Sequence, residues 1–138
     1  FIEEQIVEFQ PHRIFTHHPS DLNDDHLQVS RACSVASRLF QRRDDLRPLE
    51  SLHYMEIQSS TDWSFNSVSA AFQPNLFIDV EHEQDTKLRA LACYRNVMRN
   101  SPHPRSEEAL RGLAAYRGGQ SGQKYSEAFQ TVFMRELG

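Results

Sequence analysis

The sequence lacks several features that would identify whole classes of protein. No apolar run approaches the ~20 residues of a membrane span, and no charged start followed by a long apolar region marks a signal peptide. The basic residues form no stripe and the net charge is −4. We therefore expect no membrane span and no nucleic-acid partner.

Cysteine is also scarce. The two cysteines, Cys33 and Cys93, fall within predicted helices and have no paired spacing of the kind that holds a zinc cluster. We expect both to be buried thiols of a reduced compartment, which predicts a cytoplasmic location.

The composition is that of an ordinary globular protein, with 138 residues of which 38% are hydrophobic and 25% charged. It predicts one domain spanning residues 1–138. Apolar spacing and turn residues predict helices and strands in alternation, which indicates a doubly wound α/β fold. The predicted helices cover 2–9, 24–41, 85–98 and a short segment from Ser106 to Gly118-Gly119, and the predicted strands cover 13–16, 52–57, 76–80 and 125–134. The direction of the last strand stays open, and Asp85 is the expected cap of the third helix.

One stretch, Pro11 to Ala32, holds four histidines and three aspartates. It reads as a strand, a polar turn and the start of a helix, and ligands gather where strands end and helices begin in such folds. Apolar and histidine residues recur at spacings of three and four and therefore share one inward helical face. The residues of this predicted face are Leu22, His26, Val29, Cys33, Ala36 and Phe40. The polar segment 59–74, with its interspersed aromatic residues, is expected to form an ordered loop over the site.

Motifs in this order resemble the zinc-dependent PIG-L/LmbE N-deacetylases. Thr16-His17 with Asp21-x-Asn23-x-Asp25-His26 is similar to the second metal motif of that family. The resemblance continues through Pro74-Asn75-x-Phe77-Ile78-Asp79, Lys87, Pro104-Arg105-Ser106, Tyr116-Arg117-Gly118, Gly122 and Tyr125-Ser126-Glu127-Ala128-Phe129. It covers nearly the whole chain and implies a Rossmann-like three-layer fold with a mainly parallel sheet.

The family's first motif, His-Pro-Asp-Asp-Glu, has no counterpart in the chain. In the family it supplies two of the three protein zinc ligands and the general base. His18-Pro19-Ser20-Asp21 has the spacing of a ligand pair, but Ser20 stands where the base belongs. The resemblance therefore implies that the N-terminal part is missing and that the chain is the C-terminal portion of a deacetylase domain.

The second motif implies roles for three residues. His26 corresponds to the zinc ligand. The alternative interpretation of His26 is a half-buried histidine that caps a turn. Asp25 corresponds to a carboxylate that orients a neighbouring group, although an acid in a first helical turn needs no such role. Asn23 stands where many relatives carry a histidine that steadies the oxyanion, and it could equally be a helix cap. His17 or His18 could then act as the proton donor, although the favoured alternative for both is a solvent-facing histidine after a strand.

Four residues are candidate substrate contacts. Asp21 fits a substrate hydroxyl or a turn, and the turn is favoured. Arg105, Arg117 and Tyr125 have hydrogen-bonding groups suited to sugar hydroxyls, and their alternative is a structural network. For Glu127 we favour the structural reading.

Together these expectations describe a zinc-dependent hydrolase that removes an N-acetyl group from an N-acetylglucosamine-type sugar or glycoconjugate, with Zn²⁺ as cofactor. The alternative is a non-catalytic fragment or degenerate paralogue that binds carbohydrate or acts as a scaffold. Two assemblies stay open, a homo-oligomer and a complex with a chain that carries the missing segment. Without that segment we expect the 138 residues to be inactive.

Overall fold

A computed structural model describes residues 1–65 and 71–136. Within these ranges the helices and strands are α1 (Ile2–Phe9), β1 (Arg13–His17), α2 (Asp24–Ala36), β2 (Ser51–Met55), β3 (Leu76–Asp79), α3 (Gln84–Ala92), α4 (Glu107–Ser121) and β4 (Ser126–Met134). Short 3-10 turns occupy Leu39–Gln41 and Asp62–Ser64. Among the described residues, no helix combines the length and apolar character needed to cross a membrane.

The chain divides into two compact units. The first comprises Phe1–Pro74 and Phe129–Gly138, and the second comprises Asn75–Ala128. Strand β4 therefore begins in the second unit and ends in the first. The single domain over residues 1–138 stays a prediction.

The four strands are hydrogen-bonded in the order β1-β2-β4-β3. Strand β1 runs parallel to β2, whereas β4 runs antiparallel to β2. The α/β class and the antiparallel option for the last strand are confirmed, but the mainly parallel sheet is wrong because the sheet is mixed. The apolar pattern of a strand records which face is buried and carries little information about strand direction.

The buried face of α2 differs from the predicted one. Leu22 and Val29 are 58% and 41% exposed, so including them was wrong. The buried residues of the helix are Ser30, Cys33 and Ala36, and His26 lies on the same side. All three side chains are small, which allows α2 to pack closely on β1. The core of this unit continues through Leu39, Leu46, Leu49, Leu52 and Phe129.

Helix α3 in the second unit is shorter than predicted, because it ends at Ala92 instead of residue 98. Its cap is Glu83, without a side-chain hydrogen bond, so the prediction of Asp85 as the cap was wrong. Asp85 lies in the first turn and pairs with Arg111 at 2.7 Å. Cys93 is exposed, so its predicted burial was also wrong, while the burial of Cys33 is confirmed.

Helix α4 begins as predicted, with the Ser106 hydroxyl accepting the N–H of Ala109 at 3.2 Å. It then continues through Gly118-Gly119, so the predicted end was wrong. The helix ends at Ser121, and the C-cap is Gly122, whose φ of 75° suits a glycine. Gly118 serves close packing, since a Cβ there would lie 2.6 Å from the carbonyl oxygen of Gln123.

Candidate functional site

The candidate site lies in the first unit, where β1 ends and α2 begins. His18, just beyond β1, is almost fully buried, and its Nδ1 accepts the backbone N–H of Ser20 at 3.2 Å. A backbone N–H can only donate, so the proton of the neutral ring is on Nε2. The Gln130 side chain is hydrogen-bonded to the ring, and burial lowers the pKa of His18 despite that bond. His18 is therefore committed to the structure.

Asp21 presents a buried carboxylate in the same turn. Its Oδ1 accepts the backbone N–H of Asn23 at 2.9 Å, and its Oδ2 accepts the Thr61 hydroxyl at 3.1 Å. Burial opposes ionisation, but hydrogen bonds from Ser60 and Asn23, together with the nearby His26 ring, outweigh it and lower the pKa of Asp21. The residue therefore forms the expected turn and carries a negative charge at neutral pH.

His26 lies in the first turn of α2 and faces this carboxylate. Its Nδ1 is 3.1 Å from Oδ2 of Asp21, and its side chain is 21% exposed. The contact is short but too bent for a well-formed hydrogen bond, since Nδ1 has no partner of good geometry within the described chain. The geometry is that of a close contact between the imidazole and the carboxylate.

The ring of His17 stacks on the ring of His26. The centroids are 4.0 Å apart and the planes are inclined by 13°. Burial, and secondly the charge of His26, lower the pKa of His17, while Asp21 acts in the opposite direction. Nδ1 of His17 is buried and has no hydrogen-bond partner in the described part of the chain.

Asn23 and Asp25 flank the start of α2. The Asn23 side chain accepts the backbone N–H of Asp25 at 3.0 Å, which confirms the helix cap. Both residues are exposed. The proposed roles of Asn23 towards an oxyanion and of Asp25 towards a neighbouring group stay predictions.

The segment after β2 supplies contacts that sequence reasoning missed. Thr61 Oγ1 accepts the N–H of Ile57 at 2.9 Å and donates its own proton to Asp21. Ser60 and Ser64 are buried beside it. A polar run with few apolar residues gives no sign of burial, so nothing in the sequence pointed to these hydroxyls.

The aromatic residues of segment 59–74 have different surroundings. Phe72 meets the His18 ring edge-on at 5.6 Å, and Tyr54 of β2 meets it at 5.3 Å. Trp63 and Phe65 contact each other at 5.8 Å and are exposed. Residues 66–70 of the predicted loop lie outside the described residues.

Three of the predicted sugar-binding residues, Arg105, Arg117 and Tyr125, lie in the second unit. Arg117 of α4 donates to Gln120 at 2.8 Å and lies over the Tyr116 ring. The carbonyl of Tyr125 accepts the N–H of Val80 at 3.0 Å, and the carbonyl of Arg105 accepts the N–H of Arg99 at 3.1 Å. Glu127 pairs with Lys87 of α3, so its partner is a lysine and not the arginine of an Arg–Glu pair. The substrate contacts stay predictions.

The described residues fit part of a metal site. They contain no group of three His, Cys, Asp or Glu side chains arranged to hold an ion. His26 does fit one ligand position, because a histidine that binds metal through one nitrogen usually faces a carboxylate, carbonyl or water with the other. Zinc would therefore need ligands in addition to His26.

Comparison with known proteins identifies the fold. The conserved protein TT1542 from Thermus thermophilus has a similar structure, with a TM-score of 0.73 and 20% identity over 99% of this chain and 59% of that chain. N,N'-diacetylchitobiose deacetylase from Pyrococcus horikoshii, complexed with its inhibitor, gives a TM-score of 0.66 and 17% identity over 95% of this chain and 49% of that chain. No family model and no curated protein matches.

The chain thus spans about half to three fifths of the length of these two structures. At such low identity the likeness establishes a common fold. At the level of the fold, it supports the resemblance to the deacetylases.

Proposed function

We propose that the chain provides the second-motif part of the active site of a zinc-dependent hydrolase, which removes an N-acetyl group from an N-acetylglucosamine-type sugar or glycoconjugate. The observation that carries the proposal is the placement of His26 beyond the end of β1 with a buried carboxylate against its Nδ1. The sequence motif supports zinc as the ion. The fold shared with a deacetylase supports the reaction class.

In this proposal Nε2 of His26 holds the ion. Zinc bound there would polarise the amide carbonyl of the substrate and lower the pKa of water towards ~7. Asn23 uses its carbonyl oxygen as the helix cap, so its NH₂ group is the part that can donate to the carbonyl oxygen of the acetyl group. Arg105, Arg117 and Tyr125 would donate to sugar hydroxyls.

The predicted proton donors differ in their availability. His18 is buried and its Nδ1 is occupied by Ser20, so it is a poor candidate. His17 retains a ring nitrogen without a partner in the described chain. Of the two, His17 is the one that we propose for proton transfer.

A second candidate function is a non-catalytic carbohydrate-binding or scaffolding module. The observation that favours it is the lack of a three-residue ligand group in the described ranges. In that case the His26 turn would persist for stability, and no ion would be needed.

Acetate release by the full-length product of the gene separates the two. The enzyme hypothesis predicts zinc-dependent release from N-acetylglucosamine derivatives, which His26→Ala abolishes together with bound zinc. The substitution of Cys93, an exposed residue of the second unit, by Ser is a matched control that should keep both. Sugar binding without acetate release would favour the module.

A further inference from the structure

We propose that Asp21, and not Asp25, is the carboxylate that positions His26, so that Nδ1 carries the proton and Nε2 presents its lone pair to the site. The role towards a metal rests on the proposed function. The assignment of the proton within the ring does not, because it concerns the chain by itself.

The first argument is placement. Oδ2 of Asp21 lies 3.1 Å from Nδ1 of His26, and the Asp21 side chain has no solvent exposure. Asp25 precedes His26 directly in sequence, yet it is an exposed residue at the helix start. A carboxylate in water is screened and free to rotate, whereas a buried one keeps its direction.

The second argument is electrostatic. Both oxygens of the Asp21 carboxylate act as hydrogen-bond acceptors, Oδ1 from the Asn23 N–H and Oδ2 from the Thr61 hydroxyl. An unprotonated Nδ1 carries partial negative charge, so a carboxylate oxygen 3.1 Å away would repel it. A proton on Nδ1 turns the same contact into an attraction. The neutral ring therefore has Nε2 as its acceptor.

The third argument is rigidity. The Asp21 carboxylate is fixed by the Asn23 N–H on Oδ1, by the Thr61 hydroxyl on Oδ2, and by the Ser60 side chain. Thr61 is fixed in turn by the N–H of Ile57. His26 is thus held at its edge by Asp21 and on its face by the stacked ring of His17.

The test reads the tautomer directly in the 138-residue chain. Ring ¹⁵N chemical shifts and long-range ¹⁵N–¹H couplings distinguish a proton on Nδ1 from one on Nε2, at about pH 8.5, well above the ordinary histidine pKa of about 6.5. We expect the Nδ1–H form for His26. The Nε2–H form in the unmodified chain would overturn the proposal without any substitution.

Two matched variants extend the test. Asp21→Asn removes the charge and should shift His26 towards a mixture of tautomers, whereas Asp25→Asn should leave its spectrum unchanged. The reverse pattern would contradict the proposal. Should Asp21→Asn fail to fold, Thr61→Val, which removes one of the hydrogen bonds to Asp21, should still broaden or shift the His26 signals, and an unchanged spectrum would count against the proposal.

Full-length protein gives a second readout that separates this proposal from the enzyme hypothesis. Asp21→Asn should weaken zinc affinity by about 10–100-fold, as losses of such supporting contacts do, and Asp25→Asn should change it less than about twofold. An Nδ1–H tautomer in a protein that releases no acetate would support the positioning role and refute the hydrolase. Equal zinc affinity in the Asp21→Asn variant and the parent would refute the role towards metal.

Discussion

The imidazole of His53 stacks on the phenyl ring of Phe15, with centroids 4.9 Å apart, at the position where β1 and β2 pair these residues in register. Nε2 of His53 is 2.7 Å from the Ser51 hydroxyl, and Nδ1 is 3.1 Å from the Thr131 hydroxyl. A histidine is therefore used as a buried polar core residue of the sheet. Burial, and secondly the charge of Arg13, lower the pKa of His53.

The first prediction follows from this histidine and from His17 and His18, whose pKa values are also lowered. Each binds fewer protons when folded than when unfolded, so acidification favours the unfolded chain. Stability should be full above about pH 6.5, the unfolded pKa, and fall as the pH decreases towards the folded values. Urea unfolding between about pH 8 and 5 measures this, and lowered carboxyl pKa values act separately, below about pH 4.

The contribution of His53 can be isolated. His53→Leu should reduce the pH dependence in that window, because one of the three histidines no longer titrates. Arg13→Gln should raise the pKa of His53 only part of the way, since burial is the larger cause. A free energy of unfolding that stays constant or increases on acidification from pH 7 to 5 would contradict the prediction.

The second prediction concerns two neighbouring glycines of α4. A Cβ on Gly118 would lie 2.6 and 2.7 Å from the carbonyl oxygens of Gln123 and Lys124, whereas a Cβ on Gly119 meets nothing within 4 Å. Gly118→Ala should therefore destabilise the chain by about 1–3 kcal/mol. Gly119→Ala should stabilise it by up to about 1 kcal/mol, because alanine favours the helix. Thermal and urea unfolding give both values, and equal effects would show that the close approach is absent.

The third prediction separates the two readings of Asn23. Asn23→Ala removes the helix cap and should cost about 1 kcal/mol of stability. Asn23→Ser keeps a cap acceptor but removes the NH₂ group, so it should retain most of the stability. If the amide also meets charge in the transition state, both variants of the full-length enzyme should lose roughly 10²–10³ in kcat. A kcat for the Asn23→Ser variant equal to that of the parent would show that Asn23 acts only as a helix cap.

The fourth prediction concerns metal binding by the 138 residues alone. With one ligand in the described chain, calorimetric titration with zinc should show no tight stoichiometric site. A tight site that survives His26→Ala would contradict the assignment of His26. A tight site abolished by that substitution would mean that the other ligands come from elsewhere, such as a second chain.

Some of this structure could be predicted because it depends on neighbouring residues. The caps Asn23 and Ser106 accept N–H groups only two and three residues away, which sequence spacing reveals. Strand β1 and helix α1 follow equally local patterns, and both were placed within a residue of their observed bounds.

Other features depend on contacts that spacing does not encode. The predicted end of α4 was wrong because a glycine pair usually marks a turn. Gly118 instead lies inside the helix, where the carbonyl groups of the residues five and six positions later leave no room for a Cβ. Helical spacing predicts that Val29 faces inward, but the buried face of α2 includes Ser30 and leaves Val29 exposed. The sequence indicates His17 and His26 as candidate site residues, but the stacking of their rings is a tertiary contact that sequence spacing does not predict.

The hydrogen bond between Thr61 and Asp21 joins residues forty positions apart, whereas the metal motif ends at His26. The residues of the motif alone therefore cannot reproduce the site. A peptide or a graft that carried only residues 16–26 would keep every letter, but the Asp21 carboxylate would lose its Thr61 partner, and water would compete for the lone pair thus freed. Bringing residues forty positions apart into contact costs loop-closure entropy. In the intact chain, folding of the surrounding residues compensates this cost. Transplanting the site thus requires moving the strand pair β1-β2 and the segment that follows it as one piece.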